Sequence, residues 1–206
     1  MGSERLLRRR SARVDVVRSS RVFAVTRVVM TLLTVAATML IIGCGGKSTK
    51  KGASTPSPVG PAPIVAREGE FRTIIPRGYT NFPSKAQYWA NGPVEAGVVT
   101  SLIVVREVVN RRVSISTYAR NLRLAFKRVA RRVSRLQPLS VGGKPAFAID
   151  YLVTATGTQQ GKETHVRQVL AKHGPWVFFI RDIATPAQYG PSLAAFDEVL
   201  SNWRWL

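Results

Sequence analysis

The residue with the most distinctive chemical setting is Cys44, the only cysteine of the 206-residue chain, which follows a long apolar run. This run, residues 28–42, contains fifteen uncharged residues, and Gly43 separates it from the thiol. Eight arginines and only two acidic residues precede it. A basic segment, an apolar segment and a small residue before a cut site are the three parts of an export signal. The sequence therefore predicts that residues 1–43 direct export, with the arginines staying on the cytoplasmic side.

The residues just before Cys44 resemble a bacterial lipobox, in which an aliphatic and a small residue precede an invariant cysteine. Ile41, Ile42 and Gly43 occupy these positions here. The resemblance implies that the Cys44 thiol carries a diacylglyceryl group and becomes the mature N-terminus. An uncleaved membrane anchor and a free secreted form are the alternatives, and all three place the remaining chain outside the cytoplasm. We expect a lipid-anchored protein on the extracytoplasmic face of the cell membrane.

The segment that follows Cys44 has the composition of a tether. Residues 45–63 contain four prolines, three lysines and mostly small residues, which cannot pack a core. We expect residues 44–64 to be disordered and extended, and one folded domain to occupy residues 65–206. Nineteen residues span on the order of 60 Å at full stretch, so the domain can stand off the membrane.

Few residues of the chain are suited to catalysis. His165 and His173 lie at opposite ends of one predicted strand, about 26 Å apart, which is too far to share a metal. His165 with Asp150 is the only available base and orienting group for a hydrolase, and no Gly-x-Ser-x-Gly elbow accompanies them. A single cysteine at the anchor excludes thiol catalysis and cysteine metal sites. We expect no enzymatic activity, metal or cofactor, and we rank a hydrolase centred on His165 as the last alternative.

Hydrophobic patterning predicts an α+β domain with a central antiparallel sheet. Strands are predicted over residues 71–76, 98–109, 145–156, 164–172 and 176–184. The run at 98–109 is apolar enough to be an interior strand. The remaining segments are predicted to be an irregular stretch at 80–93, a helix at 191–202, and a tail at 203–206 that packs on the domain.

The clearest helix is predicted over residues 116–136, where apolar residues recur at helical spacing and are expected to form a buried stripe. The residues of this stripe are Tyr118, Leu122, Ala125, Phe126, Val129, Val133 and Leu136. Ser116 or Thr117 is expected to be its N-cap, and Pro138 is expected to stop it. Its opposite face is basic, and residues 106–135 contain ten Lys or Arg against one acidic residue. Removing residues 1–43 takes eight Arg and two acids from the net charge of +20, which leaves about +14.

This basic face is the main candidate for a binding site. It can bind anionic lipid heads, an anionic wall polymer or an acidic envelope protein, or it can be a solvated face that keeps the protein soluble. Nucleic acid fits the charge but not the predicted export. The residues expected to contact a partner are Arg120, Arg123, Lys127, Arg131 and Arg135.

Aromatic residues supply a second candidate site. Tyr79, Trp89 and Trp176 can line an apolar pocket, although such residues are more often part of a core. A pocket of this kind supports an alternative function, a carrier or sensor for a hydrophobic or amphiphilic small molecule.

Four short motifs follow one another in residues 65–206: IPRGY at 75–79, GGKPA at 142–146, DY at 150–151 and FDEVLSNWR at 196–204. Their order and spacing resemble the PsbP-like α/β/α sandwich and, within it, the LpqN-type exported lipoproteins of actinobacteria. The resemblance implies a binding or assembly role at a membrane surface, without established catalysis. We therefore expect a non-enzymatic, lipid-anchored cell-envelope protein that acts as a binding or assembly module.

Overall fold

A computed structural model describes residues 61–82, 84–154 and 161–206. These residues form ten strands and two helices. In chain order the elements are β1 (Ala62–Val65), β2 (Phe71–Ile75), β3 (Thr80–Asn81), β4 (Tyr88–Glu95), β5 (Val98–Val108), α1 (Ile115–Val129), β6 (Gln137–Val141), β7 (Lys144–Thr154), β8 (Glu163–His173), β9 (Trp176–Ala184), α2 (Tyr189–Ser201) and β10 (Arg204–Trp205). Cys44, the export signal and most of the expected tether lie outside the described residues.

Seven strands form one antiparallel sheet in the order β3-β4-β5-β9-β8-β7-β6. The β-branched strand β5 lies between β4 and β9, so the predicted interior position is confirmed. Strands β7, β8 and β9 pair as consecutive antiparallel neighbours, as their short connections predicted.

Both faces of this sheet are buried, and successive residues of β9 show the division. Val177 and Phe179 belong to a cluster with the apolar side of α1, which packs on β7 and β8. Phe178 and Ile180 belong to a second cluster on the opposite face. There α2 packs on β9 and on β2 of a small three-stranded sheet. The predicted α/β/α sandwich with a central antiparallel sheet is confirmed.

The small sheet joins the start of the described chain to its end. Strand β2 pairs with β1 on one side and with β10 on the other. Trp203, just before β10, is fully buried and stacks on Phe71 with ring centroids 3.8 Å apart. The prediction that the tail packs on the domain is confirmed, but the sequence did not predict this sheet. Strand β1 begins at Ala62, three residues before residue 65, where the folded domain was expected to begin.

The long helix is shorter than predicted. It begins after Ser114, whose Oγ accepts a hydrogen bond from the Thr117 N–H, so neither Ser116 nor Thr117 is the N-cap. It ends at Val129 and not at residue 136, because Arg131 and Leu152 exchange two backbone hydrogen bonds of 2.8 Å. This bridge holds the chain in an extended path along β7, although the apolar spacing continues. Val129, expected on the buried stripe, is 47% exposed.

Three further predictions are corrected by the structure. Pro138 does not stop a helix, because it lies in β6. The stretch at 80–93 is not irregular, since it contains β3 and most of β4. The second helix is confirmed with shifted ends, and Pro191 lies in its first turn, where a missing N–H costs little.

We expect Trp203→Ala to destabilise the domain strongly, because it empties the largest fully buried side chain and removes the stack on Phe71. The free energy of unfolding should fall by about 3–5 kcal/mol. Denaturant unfolding checks this, with Val108→Ala as the control because Val108 is 65% exposed. Equal losses in the two variants would contradict the packing described here.

Candidate functional site: a basic groove beside helix α1

A shallow groove of about 300 Å³ lies between α1 and the segment that leads from it to β6. The residues that line it are Arg120, Arg123, Leu124, Arg135 and Leu136. Three guanidinium groups therefore surround an apolar patch formed by two leucines. Leu124 is 57% exposed, which leaves its side chain open to a partner.

Hydrogen bonds fix the outer wall of the groove against the sheet. Arg123 donates from Nε to the Ser134 carbonyl oxygen at 2.6 Å. The Ser134 N–H donates to the Asp150 carbonyl oxygen, and the Asp150 N–H donates to Ser134 Oγ, both at 2.9 Å. Arg123 is thus partly a positioning residue, since it ties α1 to the segment that carries Arg135.

The groove carries a concentrated positive charge. Helix α1 has no acidic residue, and Arg120, Lys127 and Arg128 are exposed on it. None of the ion pairs among the described residues includes Arg120, Arg123, Lys127, Arg128 or Arg135, and Arg131 pairs with Glu163 at 3.5 Å with its side chain 74% exposed. A pair this exposed neutralises little of the field.

The structure brings together most of the residues that the sequence singled out. Arg120, Arg123 and Arg135 line the groove, and Lys127 lies one helical turn from Arg123 on the same side of α1. Arg131 follows the end of the helix, where its backbone pairs with β7. Four of these residues therefore lie on the groove side of α1, whereas the Arg131 side chain points with its bridge partner Leu152 toward the α2 face and meets Glu163.

Sequence reasoning missed the two leucines of the groove. Leu124 lies four residues after Arg120 and four residues before Arg128. An apolar residue between two arginines on a charged helix face was the signal that could have identified it. Leu136 was assigned to the buried stripe of a helix that ends seven residues earlier, at Val129.

The three aromatic residues proposed for a pocket do not surround one space. Tyr79 and Trp176 pack against the cluster on the α2 face. The Arg106 guanidinium lies over the Trp176 ring, with its carbon 3.8 Å from the centroid. Trp89 pairs with Ile103 on the opposite, α1 face, where its ring packs on Phe82 at 4.8 Å.

The two histidines occupy separate surroundings. His165 packs edge-on against Tyr189, with ring centroids 4.5 Å apart. Asp150, its suggested orienting group, instead accepts hydrogen bonds from Arg167 at 3.1 Å and from the Tyr189 hydroxyl at 2.8 Å. No base–orienter pair is therefore assembled at His165 in the described part of the chain.

His173 stacks on Trp205 at 4.7 Å and has Lys144 Nζ 2.6 Å from its Nδ1. Burial, and the positive charge of Lys144, lower the pKa of His173. A neutral ring can accept from the ammonium, so this contact supports the packing of the C-terminal tail.

A buried carboxyl group under α2 was not anticipated from the sequence. Asp182 is fully buried, and its Oδ2 lies 2.7 Å from Ser192 Oγ. Burial raises the pKa of Asp182 to about 7, against the lowering effects of Ser192 and Arg167. Ser192 Oγ is also 3.0 Å from the Tyr189 carbonyl oxygen, and its single proton cannot serve both acceptors. A protonated Asp182 resolves this conflict by donating to Ser192.

Neither helix in residues 61–82, 84–154 and 161–206 combines the length and apolarity needed to cross a bilayer. In the same part of the chain, no three His, Cys, Asp or Glu side chains are grouped so that they could hold a metal ion.

The fold defined by these elements is the PsbP-like α/β/α sandwich, and two solved structures share it. LpqN of Mycobacterium tuberculosis, involved in cell envelope biogenesis, is similar with a TM-score of 0.56 and 13% identity over 72% of this chain and 89% of LpqN. CyanoP, the cyanobacterial PsbP of Synechocystis sp. PCC 6803, is similar with a TM-score of 0.51 and 11% identity over 78% of this chain and 100% of CyanoP. No family model matches the sequence, and no curated protein matches it. The expected resemblance is therefore confirmed at the level of the fold.

We expect the stability of the domain to decrease as the pH rises from about 4 to about 7, because folded Asp182 retains a proton in this window that the unfolded chain has lost. Asp182→Asn stays neutral at every pH. Its free energy of unfolding should therefore lack a decrease of up to a few kcal/mol between pH 4 and pH 7. Urea unfolding at a series of pH values measures it.

Asp197→Asn is the comparison, because Asp197 is exposed on α2 and its charge is the smallest of the causes that act on the pKa of Asp182, so most of the slope should remain. If the slope between pH 4 and pH 7 were the same in the native protein and in Asp182→Asn, Asp182 would not be the titrating group.

Proposed function

We propose that this chain is a non-enzymatic, lipid-anchored protein of the cell envelope, and that its domain docks on an anionic surface through the basic groove. The observation that carries the proposal is the set of cations around exposed Leu124, formed by Arg120, Arg123, Lys127 and Arg135. Anionic lipid headgroups are the favoured partner, because they offer charge to the arginines and apolar surface to the leucine.

Electrostatics supports this choice of partner. A cation placed near an anionic membrane surface contributes about 1 kcal/mol, so several acting together hold a domain that is already tethered. The attraction is screened within about 8 Å at physiological ionic strength, which makes docking sensitive to salt. The groove is shallow, but docking on a surface does not require it to enclose a ligand.

Features outside the groove also support the proposal. The lipobox-like residues before Cys44 provide the anchor, and seventeen residues separate Cys44 from Ala62, where β1 begins. This length spans roughly 60 Å, so the α1 face can turn toward the membrane even though β1 lies on the α2 face. The similarity of the fold to LpqN, which is involved in cell envelope biogenesis, is consistent with an envelope role.

We expect the triple substitution Arg120→Glu, Lys127→Glu and Arg135→Glu to abolish docking on anionic lipid. Reversal of three well-placed charges should cost on the order of 3 kcal/mol or more, about a hundredfold in the docking equilibrium. Hydrogen exchange of α1 in nanodiscs measures docking: phosphatidylglycerol should slow the exchange in the native chain, relative to phosphatidylcholine, and high salt should reverse the effect.

The matched control reverses Arg72, Arg77 and Lys85, which are exposed outside the groove and change the net charge equally. Equal lipid protection in the groove variant and the control would contradict the proposal. An α1 that phosphatidylglycerol never protects would point to a wall polymer or an acidic protein instead.

We expect Cys44→Ser to abolish covalent lipid attachment, because the thiol is the proposed acceptor of the diacylglyceryl group. Intact-mass measurement of membrane-extracted protein should find a lipid-modified chain beginning at residue 44 in the native protein only. Ser48→Ala is the control and should keep the modification. An unmodified native chain, or a Cys44→Ser chain with the same added mass, would show that the anchor has been assigned wrongly.

A further inference from the structure

One row of side chains on the α1 face of the sheet contains a buried arginine. Trp89, Ile103, Arg181, Gln168 and Ile149 are opposite one another on β4, β5, β9, β8 and β7. Cross-strand partners point to the same face, so the five side chains form a continuous line across the sheet. Arg181 is 5% exposed and Gln168 is fully buried.

The centre of this row has more hydrogen-bond donors than acceptors. Arg181 donates from Nε to Gln168 Oε1 at 2.9 Å, and the Tyr151 hydroxyl lies 3.2 Å from the same oxygen. The terminal nitrogens of Arg181 make no hydrogen bond within the described residues. Gln168 Nε2 is sealed from solvent and also has no partner, whereas the Arg181 nitrogens are not sealed. Two neighbouring donor groups therefore lack an acceptor, and one of them retains access to solvent.

No carboxylate in the described part of the chain forms an ion pair with Arg181. Glu107 influences it electrostatically, but the Glu107 carboxylate accepts a hydrogen bond from the Tyr118 hydroxyl. A buried guanidinium without an ion-pair partner is costly, and a bound anion would offset that cost. One guanidinium balances one negative charge, and its planar fork fits the two oxygens of a carboxylate.

The surroundings of Arg181 are apolar in the direction away from α1. Helix α1 packs on β7 and β8, the strands of Ile149 and Gln168. On the other side of Arg181, Ile103 and Trp89 continue the row across β5 and β4. Two strand spacings separate Arg181 from Trp89, about 10 Å, which is the length of a short aliphatic chain.

We propose that Arg181 binds the carboxylate of a small monocarboxylic acid, whose apolar body points toward the partly exposed Trp89. The carboxylate oxygens accept from the terminal N–H groups of Arg181, which are open to solvent, while Gln168 holds the guanidinium through its bond to Nε. This site is separate from the basic groove, and it does not depend on docking to a membrane.

Isothermal titration calorimetry of the full chain in phosphatidylcholine nanodiscs tests the proposal, with hexanoate as the probe, hexanamide as its neutral counterpart and empty nanodiscs subtracted. Hexanoate should bind at least about tenfold more tightly than hexanamide, because only the acid forms charge-assisted hydrogen bonds. Arg181→Met should remove this preference. Arg77→Met, which removes the same charge from an exposed position outside both sites, should keep it.

A second measurement uses only the native chain and does not depend on how Arg181→Met folds. Hexanoate binding should be lost as the acid becomes protonated below about pH 5, while hexanamide binding stays constant. Equal affinity for the two probes at neutral pH would overturn the proposal, as would a preference for hexanoate that survives in a folded Arg181→Met chain.

Discussion

The domain depends on a seven-stranded sheet that is apolar on both faces, so each face needs a covering layer. Helix α1 covers β7 and β8 on one side, and α2 with the small sheet covers the other. The second layer is completed by the last residues of the chain, since Trp203 stacks on Phe71 and β10 pairs with β2. Strands β1 and β10, at the two ends of the described chain, thereby both pair with β2. The tail is part of the core.

This arrangement separates the stabilising side of α1 from its binding side. Ala119, Leu122 and Phe126 are buried against the sheet, and the cations point away from it. The charges proposed for docking can therefore be reversed without emptying the core. Arg123 is the exception, because its bond to Ser134 also holds the wall of the groove. A surface that contributes little to stability is free to carry a high positive charge.

The sequence predicted the features that depend on local periodicity, and it failed where tertiary contacts decide. The β-branched run placed β5 in the interior, and the basic stripe identified Arg120 and Arg123 in advance. The apolar spacing after Val129 predicted more helix, but the two-way backbone bridge between Arg131 and Leu152 prevails. The row around Arg181 was invisible for the same reason, since it exists only once five separate strands pair in register. Residue type alone also could not assign Trp89 to the face opposite Tyr79.

The central claim is that the domain docks on anionic lipid from its own membrane, and native mass spectrometry of gently extracted protein tests it most directly. The account predicts a lipid-modified chain that retains anionic phospholipid as a non-covalent adduct and releases it as the ionic strength rises. A lipid-modified chain that carries no adduct, or that retains only neutral lipid regardless of salt, would contradict docking through the basic groove.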